Sequence, residues 1–252
     1  MAPCRPGTAL FAALVWSGGV VLALHAIRRM PLDSQAGAEG ALLGPRVRAW
    51  YRGSMRPFVD SCVEAGVSPD ALTYAQLGLS VWAAGAFWTG CMFLGGTLTL
   101  LAGTLDVLDG DVARRRGVAG PRGALVDSVV DRWAEAITFL GLGAYFVDTW
   151  VVLVVVLAAV SSQMVSYVRA RAEGLGIDMR MGRVQRPERY VLLGFGAGLS
   201  SLLVHWTCDA RGPAAHTPLM VALVLLALLS TWTAGQRLRH ALAAIAAREE
   251  AS

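Results

Sequence analysis

The 252-residue chain has no lysine; all 22 of its basic residues are arginine. Charge is scarce as well, at 16% of residues against 55% hydrophobic, and the mean hydropathy is +0.53. That balance excludes a soluble enzyme with an ordinary charged surface. The four cysteines, Cys4, Cys62, Cys91 and Cys208, lack CxxC or zinc-ligand spacing, so neither a disulfide framework nor a cysteine metal site is expected. His25, His205, His216 and His240 stand isolated, without ligand spacing. The net charge is only +4, and no nucleic-acid partner is expected.

What the chain does have is long apolar runs. Seven stand out, at roughly 8–27, 71–90, 91–110, 123–147, 149–168, 190–206 and 217–236, several near the ~20 residues that cross a bilayer as a helix. The class is all-α integral membrane protein. Arginines gather in alternate connections: Arg28, Arg29, Arg46, Arg48, Arg52 and Arg56 between the first and second runs, Arg114 to Arg116 and Arg122 after the third, Arg169, Arg171, Arg180, Arg183, Arg186 and Arg189 after the fifth, Arg237, Arg239 and Arg248 after the last. The remaining connections are nearly uncharged. By the positive-inside rule the arginine-rich loops face the cytoplasm of a multi-pass protein in the cell membrane. Run 8–27 reads as an uncleaved anchor, the alternative being a secretory signal peptide. Residues 42–65 mix Trp50, Tyr51 and Phe58 with arginines, as an amphipathic helix in the headgroup zone would. Ser68-Pro69-Asp70 then marks a capped helix start.

The third run ends in LDVLDGDVARRRGVAGPRGALVDSVVDRWAE. Asp106 and Asp109 are three apart and share a helix face; Asp127 and Asp131 are four apart and share another. The arginine- and glycine-rich turn Arg114 to Gly123 is expected to fold the two helices side by side, so that four carboxylates converge at the cytoplasmic end. Together near a membrane they would repel and desolvate one another unless cations held them. Hard oxygen ligands suit magnesium or manganese, and two such ions can serve phosphoryl chemistry. Helix caps at a membrane boundary would explain one such aspartate, but not two pairs at helical spacing with Gly110 between them.

Asp106-x-x-Asp109-Gly110-x-x-Ala113-Arg114, eight residues, Gly123, three residues, Asp127, three residues, Asp131 resembles the signature of the CDP-alcohol phosphotransferases at all eight fixed positions. The resemblance extends over roughly 42–245 and implies a six-transmembrane-helix core. Residues 1–30 then form an extra N-terminal transmembrane anchor, 31–66 a linker and juxtamembrane amphipathic helix, 67–245 the catalytic domain and 246–252 a C-terminal tail. It further implies transfer of a phosphatidyl group from CDP-diacylglycerol to an alcohol with release of CMP. Asp106, Asp109, Asp127 and Asp131 would hold two Mg²⁺ or Mn²⁺ ions, with Asp131 also the general base. Gly110, Ala113, Arg114 and Gly123 would bind the CDP moiety. Homodimerisation within the lipid bilayer is a further family expectation.

The strings SYVRARAE, RPER and AGQRL resemble the branch that makes phosphatidylinositol phosphate or archaetidylinositol phosphate. That resemblance assigns Arg169, Arg186 and Arg237 to the phosphate of an inositol phosphate acceptor. The first position is usually lysine in that branch, so Arg169 is a departure. Bidentate guanidinium contacts suit a phosphomonoester, although loops on the positive-inside face are arginine-rich for topological reasons too. Glycerol 3-phosphate is the alternative acceptor. A transporter or non-catalytic membrane protein is the alternative class, disfavoured because the carboxylates sit at the boundary rather than mid-membrane and the halves show no repeat.

Overall fold

The structure is a computed structural model that describes residues 44–179, 185–207 and 216–250. The expected anchor at 8–27 lies outside the described residues. Seven helices are described: α1 (Pro45–Glu64), α2 (Pro69–Trp88), α3 (Met92–Arg115), α4 (Pro121–Tyr145), α5 (Val151–Gly174), α6 (Arg186–Thr207) and α7 (Thr217–Glu250). The local signals are ordinary ones. Proline occupies the first turn of α1, α2 and α4, where its missing N–H costs nothing. Ser68 caps α2 by accepting from the Ala71 amide. Gly117, at φ 67°, ends α3 in a Schellman turn, with the Val118 amide donating to the Ala113 carbonyl.

α3, α5 and α7 are long and apolar enough to cross a membrane. α2, α4 and α6 alternate with them along the chain and are diluted by buried polar residues such as Gln76, Asp131, Glu135 and Arg189. Large apolar side chains on the outside, among them Trp82, Trp133, Leu140 and Leu153, are the surface a bilayer would solvate. α7 overshoots the apolar run that announced it. Its 34 residues would span about 51 Å at 1.5 Å per residue, well beyond the ~30 Å hydrocarbon core. The stretch expected as a tail continues this helix to Glu250. There Ala241 packs with Ala172, Ile177 and Met179, and Arg248 donates to the carbonyls of Leu175 and Gly176.

The six helices α2 to α7 close into a ring. α2 packs on α3 and α4, α3 on α6, α6 on α7, α7 on α5, and α5 back on α4. One expectation is corrected here: α3 and α4, joined by the Arg114–Gly123 turn, are not packed side by side, because α2 lies between them. The reason is steric. Gly141 of α4 rides directly on the backbone of α2 at Ala84, and Phe87 of α2 fills the space over Gly95 of α3. α3 in turn meets α6 through glycine, since a Cβ on Gly96 would come within 2.6 Å of the Gly194 carbonyl. The splayed pair leaves room between their ends. α1 lies outside the ring against α3, burying Val59 with Leu108 and Val112. The Tyr51 hydroxyl also donates to Thr104 Oγ1 at 2.8 Å, and Asp60 pairs with Arg115.

The Gly141–Ala84 approach sets the α2–α4 distance. Gly141→Ala is expected to destabilise the fold by about 2 kcal/mol through overpacking, seen as a lower melting temperature in detergent.

Candidate active site

The helix ends bring the four aspartates together from two directions. Asp106 and Asp109 project from the last turns of α3, Asp127 and Asp131 from the first turns of α4. Asp106, Asp127 and Asp131 each offer a carboxylate oxygen within 4.8 Å of the others. Asp109, on the next turn of α3, directs Oδ2 to the Thr73 hydroxyl at 2.6 Å. Asp131 and Asp109 are almost fully enclosed, 1% and 5% exposed. Arg186, at the start of α6, reaches into this group, with Nη1 3.2 Å from Asp106 Oδ1 and ion-paired with Asp131 Oδ2.

One guanidinium against four carboxylates leaves a large excess of negative charge. Asp127 Oδ1 is, moreover, buried without a hydrogen-bond partner. Enclosed anionic oxygens in an all-carboxylate set are the donors that hard divalent cations take. Asp106, Asp127 and Asp131, with Asp109 adjoining, therefore fit a magnesium or manganese site.

Beside the carboxylates opens a cavity of about 420 Å³. α3 contributes Asp106, α4 Asp127, Ser128 and Arg132, α5 Ser166, Arg169 and Glu173, α6 Arg186 and Arg189, and α7 Arg237. Arg169, Arg186 and Arg237, drawn from three distant parts of the sequence, thus share one space. Arg237 is 3% exposed and donates to the Val165 carbonyl at 2.8 Å. Arg169 pairs through Nε with Glu173 at 2.8 Å. Gly110, Ala113, Arg114 and Gly123 are not in that cavity wall. A Cβ on Gly123 would meet nothing within 4 Å, and one on Gly110 would have the Arg114 guanidinium, itself paired with Asp111, as its nearest neighbour at 3.3 Å. The glycines therefore leave open backbone beside the aspartates.

Several polar residues outside the aspartate signature support the site, and of these Thr73 and Gln76 belong to no sequence motif. Gln76 of α2 donates to Asp131 Oδ1 at 2.8 Å and lies 3.2 Å from the Tyr190 hydroxyl. Thr73 and Gln76 were detectable in principle as a polar pair three apart in an apolar run. Arg189 and Glu188, adjacent in sequence, pair with other partners rather than with each other. Arg189 makes a two-pronged contact to Glu135 of α4, 2.7 and 3.1 Å. Glu188 pairs with Arg48 of α1 and accepts from the Gln185 amide at 3.0 Å, while Arg48 also reaches Gln185 Oε1. Helix α1 is thereby tied to the turn that carries Arg186. Arg132 does not meet Glu135; it donates to Ser128 one turn back.

Comparison with known proteins follows the same lines. A family model described as CDP-alcohol phosphatidyltransferase matches residues 66–247. The phosphatidylinositol phosphate synthase of Mycobacteroides abscessus is 35% identical over 187 residues, 72% of this chain and 80% of that one. The archaetidylinositol phosphate synthase of Methanothermobacter thermautotrophicus is 34% identical over 190 residues, 75% and 90% of the two chains. Among solved structures, the phosphatidylinositol phosphate synthase of Mycobacterium tuberculosis with CDP-DAG bound superposes with a TM-score of 0.61 at 31% identity, covering 73% of this chain and 92% of that one. The same enzyme in complex with manganese and citrate gives 0.63 at 32% identity, covering 74% and 88%.

The buried Glu135–Arg189 pair yields a stability test. Glu135→Leu alone strands a guanidinium inside the ring and is expected to cost about 3 kcal/mol, whereas Glu135→Leu with Arg189→Met should recover most of the loss. Melting temperatures of the two variants in detergent check this.

Proposed function

The chain belongs to the CDP-alcohol phosphatidyltransferase family, and from that premise we propose that it makes phosphatidylinositol phosphate and CMP from CDP-diacylglycerol and inositol 1-phosphate. The observation that carries the acceptor choice is the cavity where Arg169, Arg186 and Arg237 converge beside Asp106 and Asp127. An acceptor with its own phosphate brings the negative charge that such a wall attracts, and guanidinium forks grip a phosphomonoester in two-point contacts. The named activities of the mycobacterial and archaeal relatives point the same way.

In the reaction, an acceptor hydroxyl attacks the lipid-side phosphorus of CDP-diacylglycerol. A new P–O bond forms as the pyrophosphate P–O bond breaks, and CMP leaves. Asp131, whose Oδ2 is ion-paired with Arg186 in this structure, takes the hydroxyl proton. Arg186 and Arg237 hold the acceptor phosphate, with Arg169 as a third contact. Gly110 and Gly123 let the cytidine diphosphate lie against bare backbone beside the small side chain of Ala113, where Arg114 offsets phosphate charge. Asp106, Asp109, Asp127 and Asp131 would hold two Mg²⁺ or Mn²⁺ ions; when bound, these supply the positive charge that stabilises the entering and leaving oxygens. The protein's own contribution is positioning and a preorganised field.

The same reading places the catalytic unit at 67–245, with α1 as its juxtamembrane helix and residues 1–30 as an added anchor. It sets the active site on the cytoplasmic side of the cell membrane, supported by the arginine-rich connections at that end. Assembly as a homodimer belongs to the same family reading.

Purified protein in detergent with CDP-diacylglycerol and Mg²⁺ is expected to release CMP with inositol 1-phosphate, and not with free inositol, L-serine or glycerol 3-phosphate. Turnover with glycerol 3-phosphate alone would reassign the acceptor while keeping the aspartate chemistry. Asp127→Asn should abolish CMP release in a protein that melts like the parent; a fully active variant would remove the metal-site argument.

A further inference from the structure

Helix α2 buries three polar side chains, Thr73, Gln76 and Ser80, that neither line the acceptor cavity nor belong to the aspartate signature; Ser80 donates to the Gln76 carbonyl of its own helix, and the other two reach outward. Thr73 is 4% exposed and Gln76 fully buried, and their spacing of three puts them on one helix face. A buried amide in a membrane bundle costs several kcal/mol unless its hydrogen bonds are made, and a leucine here would pack without that cost. Both side chains meet an aspartate. Gln76 Nε2 holds Asp131 Oδ1 at 2.8 Å, leaving Oδ2 as the oxygen on the Arg186 side. The Thr73 hydroxyl lies 2.6 Å from Asp109 Oδ2 and 3.1 Å from the Pro69 carbonyl; the closer, anionic acceptor makes the stronger bond.

The placement is what the splayed helices require. α2 is packed against both α3, which carries Asp109, and α4, which carries Asp131. It is therefore positioned to set the two carboxylates relative to each other. Gln76 is fixed in turn near the Tyr190 hydroxyl, 3.2 Å away, and Tyr190 fits because position 103 is glycine: a Cβ there would come within 2.7 Å of its ring. Both donors are also neutral. A lysine or arginine in either place would orient the carboxylate equally well but would cancel the charge that a divalent cation needs.

We propose that Thr73 and Gln76 are positioning residues for the cation site. Each occupies one oxygen of a carboxylate and so fixes the rotamer in which the other oxygen faces the cation and the acceptor. This inference rests on the metal-site reading above. It assigns to α2 a share in metal affinity and in the orientation of the proton acceptor, beyond its packing role.

The test titrates the full-length protein in detergent with Mn²⁺ alone, following free ion by electron paramagnetic resonance. Thr73→Val and Gln76→Met remove the donors at nearly constant volume. Each is expected to weaken Mn²⁺ binding about tenfold, the usual scale for a residue that orients a metal ligand. Thr73→Ser, which keeps the hydroxyl, should bind like the parent. In CMP release the loss should fall on kcat, with KM for CDP-diacylglycerol little changed. Melting temperature separates misfolding from loss of binding, and if Gln76→Met does not fold, the Thr73→Val and Thr73→Ser pair decides alone. Parental Mn²⁺ affinity in a folded Thr73→Val would overturn the proposal. A parent chain that binds no Mn²⁺ would remove the metal-site reading itself, and this inference with it.

Discussion

Everything about this chain's architecture answers to the crowding of carboxylates at the edge of an apolar bundle. Three of them have oxygens within 4.8 Å of one another. At that separation two unit charges repel by roughly 3 kcal/mol even at an effective dielectric of about 20. One arginine cannot balance the set, and the neighbouring hydrogen-bond donors are neutral. The site is consequently a place that favours divalent cations strongly, and a phosphoryl group drawn to those cations arrives already charge-compensated.

The ring is the means of holding such a set open. Had α3 and α4 packed face to face, their aspartates would have been pressed together with no volume for ions or phosphates. Instead α2 stands between them, seated by Gly141 and Gly95, and the aspartates meet only at the helix ends. Polar residues then had to enter helices that would otherwise be uniformly apolar. That is why α3, α5 and α7 keep a long, nearly uncharged apolar stretch while α2, α4 and α6 carry buried polar residues along their length. The Glu135–Arg189 pair and the Gln76–Tyr190 contact belong to this same inner layer.

Much of the architecture was legible in the sequence. Runs of apolar residues located the starts of α2 to α7 to within a few positions, because a membrane helix satisfies its own backbone and needs only length and hydropathy. The four aspartates were legible because three- and four-residue spacings have one helical meaning. Neighbour relations were not. A short turn ordinarily joins adjacent helices, and nothing local says that Ala84 and Gly141 will touch and part α3 from α4. The partners of Glu188 and Glu135 lie 140 and 54 residues away, beyond any local pattern. Gln76 and Thr73 were visible only as two polar letters among small apolar ones. The overshoot of α7 was hidden because its last turns are alanine-rich and amphipathic instead of apolar.

The arginine departure at position 169 can be argued from geometry. Lysine would present one ammonium, and a carboxylate as close as Glu173 would hold it. Arg169 engages Glu173 through Nε, at the base of the guanidinium, so the two terminal nitrogens remain for a second anion. The pair sits on the wall of the cavity that also holds Arg186 and Arg237. Of these, Arg237 is anchored on a backbone carbonyl and Arg186 on the aspartates, which leaves Arg169, half exposed, as the member with the most freedom to follow a substrate. A fixed pair of guanidiniums with one adjustable neighbour suits the proposed acceptor, whose phosphate would be held while its polyol turns toward Asp131. On the proposed acceptor reading, an arginine at position 169 keeps one nitrogen on Glu173 and leaves two to adjust to the acceptor phosphate, which a lysine held by the same carboxylate could not do.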